Sequence, residues 1–253
     1  MPWPLPFSPS DYFLHLLVLL HDPVYRGIDV PHGQGQPVLL IPGFLGGDWT
    51  LLTLAGWLNR IGYRAYFSGI YWNVDCPNRT GERLRWRLEH IAKETGKPVT
   101  VIGHSLGGTL ARFLGANFPE KIHQVVALGS PLNPSMRVHP LALRAFHMLR
   151  PVRLLTGRTA PACGSAQCTC QFARTVFSPL AENIRFISIF TKQDEIVHWK
   201  MSLDPHGKNQ EVSGGHLGLL VNREVYRLLS SALANRQTMT EEPLHAGEEG
   251  ELP

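Results

Sequence analysis

The sequence has little charge, few cysteines and no long hydrophobic run. Charged residues make up 17% of its 253 residues, and the formal net charge is only +4. Because no run of five or more lysines and arginines occurs, this charge indicates a solvated surface rather than a nucleic-acid partner. The longest apolar run, Phe13 to Leu20, is interrupted by His15 and is far shorter than the ~20 residues of a membrane-spanning helix.

Signals for export, metals and cofactors are also missing. No basic segment precedes the apolar run, and Asp22-Pro23 follows it where small residues would mark a cleavage site. We therefore expect a cytoplasmic protein, with membrane association and export as the alternatives. The sequence contains no H-E-x-x-H, Walker A or EF-hand motif, so we predict neither a metal nor another cofactor.

The four cysteines are Cys76, Cys163, Cys168 and Cys170. The last three form a C-x4-C-x-C arrangement, which matches no common zinc-binding spacing. A disulfide from Cys163 to Cys168 or Cys170 is one interpretation, and free thiols in a turn are another. A metal site is the third and weakest.

Predicted strands and helices alternate along most of the chain. The pattern predicts strands at 38–41, 63–67, 99–102, 125–128, 184–190 and 210–212, and helices at 8–21, 48–59, 80–95, 106–117, 139–149 and 222–235. Such alternation predicts an α/β fold with a mostly parallel sheet and helices on both faces.

The alternation divides the chain into four predicted parts. Residues 1–36 form an N-terminal helical arm, and residues 37–131 together with 184–235 form the α/β core. Residues 132–183 contain no clear strand and are interpreted as an insertion, because a loop of that length is uncommon in a compact domain unless it has a function. Residues 236–253 form an acidic tail that we expect to be disordered.

The most informative motif is GHSLG at residues 103–107, a G-x-S-x-G. A β-branched strand precedes it and a helical pattern follows at once, which is the context of a nucleophile elbow with Ser105 at the turn. Glycines two residues before and two after the serine leave room for the strand and the helix to pass closely. The neighbouring His104 is expected to pack and to form hydrogen bonds rather than to act as a base.

A nucleophilic serine needs a base and an acid that orients the base. In hydrolases with such an elbow these partners follow in the chain order serine, acid, histidine. Asp194 follows the predicted strand 184–190, and His216 lies in a glycine-rich turn before the last helix. Both positions are at the sheet edge where α/β proteins place their sites. We predict that Ser105, Asp194 and His216 form a catalytic triad.

Other late residues are weaker candidates. His198 and His206 follow Asp194 closely, and neither lies in a glycine turn before a helix. Glu195 and Asp204 are the alternative acids.

Two backbone amides are needed to stabilise the oxyanion of an acyl-transfer intermediate. Leu106, the residue after the nucleophile, is predicted to supply one of them. The other is predicted to come from the loop Gly43-Phe-Leu-Gly-Gly47, with Phe44 as the donor and Leu45 as the second choice.

Five motifs in this order resemble the α/β-hydrolase superfamily, and within it the bacterial lipases and esterases. They are PGFLGG at 42–47, GHSLGG at 103–108, GSPL at 129–132, Asp194 and SGGHLG at 213–218. The resemblance implies a serine ester hydrolase that needs no cofactor, with Ser105, Asp194 and His216 as its triad and Phe44 and Leu106 as its oxyanion donors. It also implies that residues 132–183 lie over the pocket as a cap or lid. Pro42-Gly43 stands where the family often has His-Gly.

The leading functional hypothesis is therefore hydrolysis of carboxylic esters through an acyl-serine intermediate. The apolar residues around the first loop, Phe44, Leu45, Trp49 and Leu51, favour acyl chains as substrates, and peripheral contact with lipid is an additional hypothesis. An acyltransferase, thioesterase or amidase that uses the same triad is the second hypothesis. A non-catalytic interaction protein on this fold is the third.

Overall fold

Six parallel strands form the single sheet of this structure, a computed structural model that describes residues 9–133, 139–159, 163 and 168–234. The strands lie in the order β2-β1-β3-β4-β5-β6, and every neighbouring pair is parallel. They are β1 (Pro37–Ile41), β2 (Arg64–Phe67), β3 (Val99–His104), β4 (Ile122–Leu128), β5 (Arg185–Phe190) and β6 (Lys208–Glu211).

Nine α-helices occur within these described ranges. They are α1 (Pro9–His21), α2 (Pro23–Arg26), α3 (Leu52–Arg60), α4 (Pro77–Thr95), α5 (Leu106–Asn117), α6 (Pro140–Met148), α7 (Arg150–Leu155), α8 (Gln171–Thr175) and α9 (Arg223–Ala234). Short 3-10 helices occur at Asp48–Leu51, Pro119–Lys121, Trp199–Ser202 and Leu217–Leu220.

The sheet is buried on both faces. All residues of β1 and β3 are buried, as expected for central parallel strands whose sequences are nearly continuous apolar runs. Alternate residues of β1 enter two different apolar clusters, Val38 and Leu40 on one face and Leu39 and Ile41 on the other. The first cluster includes residues of α3 and α9, and the second includes residues of α4 and α5. The predicted parallel sheet with helices on both faces is confirmed.

The strand order reverses direction between β1 and β3. From β1 the chain moves outward to β2, and from β3 it moves the other way through β4, β5 and β6. The carboxyl ends of β1 and β3 are adjacent, since Ile41 pairs with Gly103. In open α/β sheets, ligands bind beyond the carboxyl ends of the strands at such a switch point.

The predicted helix at 48–59 begins with a 3-10 turn, and Asp48 does not cap it. Gly47 occupies the capping position. The Asp48 carboxylate instead accepts hydrogen bonds from the backbone amides of Ser68 and Gly69 and from the Ser68 hydroxyl, at 2.6–3.2 Å. Asp48 therefore ties the loop after β2 to the loop after β1.

The insertion at 132–183 contains more helix than the sequence predicts. One helix is expected at 139–149, whereas the described part of the insertion contains α6, α7 and α8. These helices have almost no buried side chains, and Arg153 is the exception. The division of the chain into four parts stays a prediction, and the tail at 236–253 lies outside the described residues.

The N-terminal helix α1 packs on the core. It contacts α2, α9 and the turn Leu217–Leu220, and Leu19 is fully buried in the first apolar cluster. Other apolar side chains of α1, such as Phe13 and Leu14, are exposed. Within the ranges described above, no helix combines the length and the apolar character needed to cross a bilayer. The cytoplasmic location stays a prediction.

The cysteines pair differently from the local disulfide considered above. Cys163 lies against Cys76, with 2.9 Å between the two sulfur atoms, rather than against Cys168 or Cys170. The sulfur atoms of Cys168 and Cys170 are 3.4 Å apart. All four are free thiols in this structure. Sequence spacing could not indicate the Cys76–Cys163 contact, because the fold brings together residues 87 positions apart.

Candidate active site

Ser105 lies in a strained turn between β3 and α5. Its backbone has φ 52° and ψ −124°, a conformation that residues with a Cβ rarely adopt. The backbone amide of Ser105 donates a 2.8 Å hydrogen bond to the carbonyl of Leu128 at the end of β4. Although Ser105 occupies the N-capping position of α5, its side chain forms no capping hydrogen bond. The turn has the strand–serine–helix form that the motif predicts.

The two glycines of the motif allow the close approach that this turn requires. A Cβ on Gly103 would lie 2.1 Å from the carbonyl oxygen of Gly107, and one on Gly107 would lie 2.2 Å from that of Ile41. Both distances are far below van der Waals contact with rigid backbone. Larger residues at these positions would therefore push α5 away from the ends of β1 and β3.

The side chains of Asp194 and His216 form a buried hydrogen-bonding contact at the same sheet edge. Nδ1 of His216 lies 2.7 Å from Oδ2 of Asp194, and both side chains are almost completely buried. Oδ1 of Asp194 accepts hydrogen bonds from the backbone amides of Ile196 at 2.9 Å and Val197 at 2.7 Å. These amides fix the carboxylate, so Asp194 can hold the imidazole in one orientation.

The backbone of His216 is held from both sides. Its amide donates to Oε2 of Glu195 at 2.9 Å, and its carbonyl lies 3.1 Å from Nε2 of His104. Since a carbonyl oxygen only accepts, Nε2 of His104 must carry the proton. The two imidazole rings are 4.7 Å apart between centroids. His104 thus links the elbow to the loop that carries His216, which agrees with its predicted packing and hydrogen-bonding role.

Burial shifts the pKa of two groups around His216. Desolvation, together with the nearby His216, lowers the pKa of His104 to about 3, so its ring is neutral near pH 7. Desolvation also raises the pKa of Glu195, against the opposing effect of hydrogen bonds from backbone amides.

The weaker candidates have other contacts. Asp204 forms a buried ion pair with Arg112 at 3.0 Å, and its second oxygen accepts from the amide of His206 at 2.9 Å. Nδ1 of His198 accepts from the amide of Lys200 at the start of a 3-10 helix. Glu195 contacts the backbone of His216 and not its ring. These contacts favour Asp194 and His216 over the alternatives.

The loop at 43–47 lies beside the elbow, and its backbone contacts distinguish Phe44 from Leu45. The amide of Leu45 donates to the carbonyl of Asn73 at 3.2 Å, whereas the hydrogen bonds found among the described residues include none donated by the amides of Phe44 or Leu106. Leu106 is the first residue of α5, where helical amides have no partner within the helix. This pattern favours the predicted donor pair, Phe44 and Leu106.

Asn73 supports the loop at 43–47, and sequence patterns gave no signal of this role. The backbone amide of Asn73 donates to the carbonyl of Gly46 at 2.8 Å. The buried side-chain amide of Asn73 donates to the carbonyl of Pro42, also at 2.8 Å. With the contact from Leu45, these bonds fix the backbone on both sides of Phe44. Only proximity in the fold identifies Asn73.

Ligand groups for a metal are not clustered in this part of the chain. Among the residues that the structure describes, no three His, Cys, Asp or Glu side chains are arranged to hold a metal ion. That the chain needs no cofactor stays a prediction.

Comparisons with known proteins agree with the architecture. A family model described as the alpha/beta hydrolase fold matches residues 90–153, which include Ser105. A triacylglycerol lipase of Burkholderia plantarii is 27% identical over 124 residues, covering 46% of this chain and 35% of the lipase. A triacylglycerol lipase of Pseudarthrobacter phenanthrenivorans is 30% identical over 104 residues, covering 38% of this chain and 33% of that lipase. These matches span about a third of the curated relatives' length.

Similarity to solved structures extends over most of the chain. The mature lipase of Bacillus licheniformis superposes with a TM-score of 0.58 at 17% identity, over 81% of this chain and 94% of that one. At this identity the likeness concerns the fold alone. The predicted α/β-hydrolase fold and the resemblance to bacterial lipases and esterases are confirmed.

Proposed function

We propose that this chain, which has the α/β-hydrolase fold and resembles bacterial lipases and esterases, is a serine carboxylic-ester hydrolase. One observation carries the proposal: the buried His216–Asp194 contact at 2.7 Å lies at the sheet edge where the strained Ser105 turn ends β3. Such an arrangement suits acyl transfer, because the serine needs a base held in one tautomer. The triacylglycerol lipases found in the comparison support a small-molecule ester as substrate.

In the proposed mechanism, Oγ of Ser105 attacks the ester carbonyl while Nε2 of His216 takes the hydroxyl proton. His216 then returns this proton to the leaving alcohol, and an acyl-Ser105 remains. Water attacks the acyl group with His216 as the base again, and the acid product leaves. Asp194 keeps the proton on Nδ1 of His216 and stabilises the imidazolium that forms in both steps.

Negative charge develops on the carbonyl oxygen in both tetrahedral intermediates. We assign its stabilisation to the amides of Phe44 and Leu106, which are preorganised by Asn73 and by the start of α5. The positive end of the α5 dipole lies at the same point and acts in the same direction.

The surface near the loop at 43–47 fits an apolar acyl chain. Leu45, Trp49, Leu52 and Tyr71 are exposed there, and the rings of Trp49 and Trp72 are 6.1 Å apart. Leu51 makes no such contribution, because it is buried in the core. These side chains also favour peripheral contact with lipid.

We further propose that the insertion at 132–183 forms a cap beside this loop. The ring of Phe146 on α6 lies 6.0 Å from that of Phe44, the proposed oxyanion donor. A cap in this position would limit substrate size and exclude water during the acyl-enzyme stage.

Hydrolysis of p-nitrophenyl esters with acyl chains from C2 to C16 tests the proposal. We expect activity in the wild type and a loss of at least about 10³-fold in Ser105→Ala, because no other nucleophile replaces the hydroxyl. Ser231→Ala is the matched control, since Ser231 is an exposed serine on α9. The optimal chain length separates an esterase from a lipase.

A fluorophosphonate probe gives a second measurement that does not depend on the ester chosen. Labelling of Ser105 without ester hydrolysis would contradict hydrolysis of these esters and favour acyl transfer to another acceptor. If the probe labels neither the wild type nor Ser231→Ala, the proposal of a serine hydrolase is wrong.

A further inference from the structure

One short segment, residues 74–79, which precedes and begins α4, makes several contacts with the insertion. The guanidinium of Arg153 donates to the carbonyl of Val74 at 3.0 Å, and Arg158 contacts the carboxylate of Asp75 at 3.2 Å. Three further contacts join the same segment to the insertion: Arg79 to the carbonyl of Gly157, Asn78 Oδ1 to the amide of Phe172, and Cys76 to Cys163.

The cysteine pair lies within this set of contacts. The sulfur atoms of Cys76 and Cys163 are 2.9 Å apart, and both residues are buried, with 7% and 8% of their surface exposed. A disulfide has an S–S distance of about 2.05 Å, so the sulfur atoms need to move by less than ~1 Å to form one. Other contacts already hold the two backbones in place on each side.

The surroundings of Cys76 favour its thiolate. Cys76 occupies the N-capping position of the 19-residue helix α4. The pKa of Cys76 is lowered, first by the hydrogen bond from the thiol of Cys163 and then by the backbone amides of Arg79 and Asn78. The buried cation of Arg153 also interacts with both sulfur atoms. Cys76 is therefore the nucleophile of the pair, and Cys163 carries the proton.

We infer that Cys76 and Cys163 are a site of reversible disulfide formation that covalently fixes the insertion to segment 74–79. The co-reactant is a small-molecule disulfide such as oxidised glutathione. The Cys76 thiolate attacks one sulfur of this oxidant, forms a mixed disulfide and releases one glutathione thiolate. Cys163 loses its proton and attacks Cys76, which releases the second glutathione. Two protein thiols are thus oxidised while one glutathione disulfide is reduced to two thiols.

The bond would act close to the candidate active site. Asn73, which supports the loop at 43–47, lies three residues before Cys76. A disulfide at Cys76 therefore joins the insertion to a position three residues after Asn73, which supports the loop of the proposed oxyanion donor. The inference goes beyond ester hydrolysis and does not depend on it.

The test is disulfide mapping of the full chain after equilibration with glutathione redox buffers. Free thiols are blocked with N-ethylmaleimide, and cross-linked peptides are identified by mass spectrometry. We expect a Cys76–Cys163 peptide in the wild type, which disappears with dithiothreitol. The oxidised protein should have a Tm higher by about 5–10 °C, because the bond closes a long loop.

Variants of the two cysteine pairs show which pair forms the cross-link. Cys168→Ser with Cys170→Ser should keep both the cross-link and the Tm shift, whereas Cys76→Ser and Cys163→Ser should lose both. A bond from Cys163 to Cys168 or Cys170, or four alkylated thiols after oxidation, would overturn the inference. Peptide mapping in the wild type decides the matter even if a single variant fails to fold.

Discussion

The candidate active site and the insertion are held to the same sheet by different means. β3 and β5, which precede Ser105 and Asp194, are buried apolar runs, and the side chains of Asp194 and His216 are buried as well. The helices of the insertion bury only Arg153, while Met148 and Leu155 are 78% and 89% exposed.

This difference predicts different responses to change. A site built on buried strands is rigid, and its geometry survives when one side chain is altered. A segment with few buried apolar contacts opens at low free energy, so the part of the insertion that contains α6 and α7 depends more on polar contacts, including those to residues 74–79. The disulfide inferred for Cys76 and Cys163 would compensate for this missing apolar burial.

The largest effect is expected in the site, from Asp194→Asn. The side-chain oxygen of the introduced asparagine can keep the backbone bonds from Ile196 and Val197, but its amide nitrogen would face Nδ1 of His216. The imidazole would then take the tautomer that cannot accept the Ser105 proton. We expect kcat/KM for a p-nitrophenyl ester to fall by about 10³- to 10⁴-fold, with little change in Tm.

Glu195→Gln is the matched control for this prediction. A glutamine oxygen can still accept the hydrogen bond from the amide of His216, so kcat/KM should fall by less than about tenfold. Equal losses in the two variants would contradict Asp194 as the acid of the triad.

The second largest effect is a loss of stability, expected where the end of the insertion meets the core. Arg112 on α5 forms a buried ion pair with Asp204 and donates to the carbonyls of Val176 and Ser178. In Arg112→Met, a buried carboxylate and two carbonyls lose their partner. We expect urea denaturation to show a loss of about 3–5 kcal/mol in the free energy of unfolding.

An exposed pair provides the comparison for Arg112. Arg64 and Glu94 form a surface contact, and Arg64→Met should change the free energy of unfolding by less than about 1 kcal/mol. The double variant Arg112→Met with Asp204→Leu should recover part of the loss, because no buried charge remains. A loss from Arg112→Met no larger than that from Arg64→Met would show that the buried pair does not hold this junction.

The two regions also differ in how much of each could be predicted. The sheet and the elbow follow from local patterns, since an apolar run before GHSLG and a helical pattern after it already define the turn at Ser105. Asp194 and His216 could be proposed because both follow strands of a parallel sheet, whose carboxyl ends share one edge.

Contacts between residues far apart in the chain could not be predicted from local sequence patterns. Asn73 reaches Pro42 over 31 positions, Cys163 reaches Cys76 over 87, and Arg112 reaches Asp204 over 92. Each of these contacts joins segments that only the folded chain brings together. Neither residue type nor spacing distinguishes such a side chain from an ordinary surface residue.

The smallest effect is a pH dependence that arises from His104. Its pKa is lowered to about 3 in the folded protein by burial and by the nearby His216, against 6.5 for the unperturbed group. Between these values the unfolded chain binds a proton that the folded protein does not, so stability is lost as the pH falls from about 6.5. The slope contributed by one such group approaches 1.4 kcal/mol per pH unit at about pH 5.

His104→Gln should remove this contribution, because glutamine does not titrate and its amide can still donate to the carbonyl of His216. The free energy of unfolding, measured by urea denaturation from pH 7 to pH 4, should fall less steeply in this variant than in the wild type. His90→Gln changes an exposed histidine, keeps the buried imidazole and should retain the wild-type slope. If His104→Gln also retains that slope, then His104 is protonated in the folded protein at pH 4. The connection between the elbow and the His216 loop would then contain a charge, and the candidate site would be more open to water than its burial indicates.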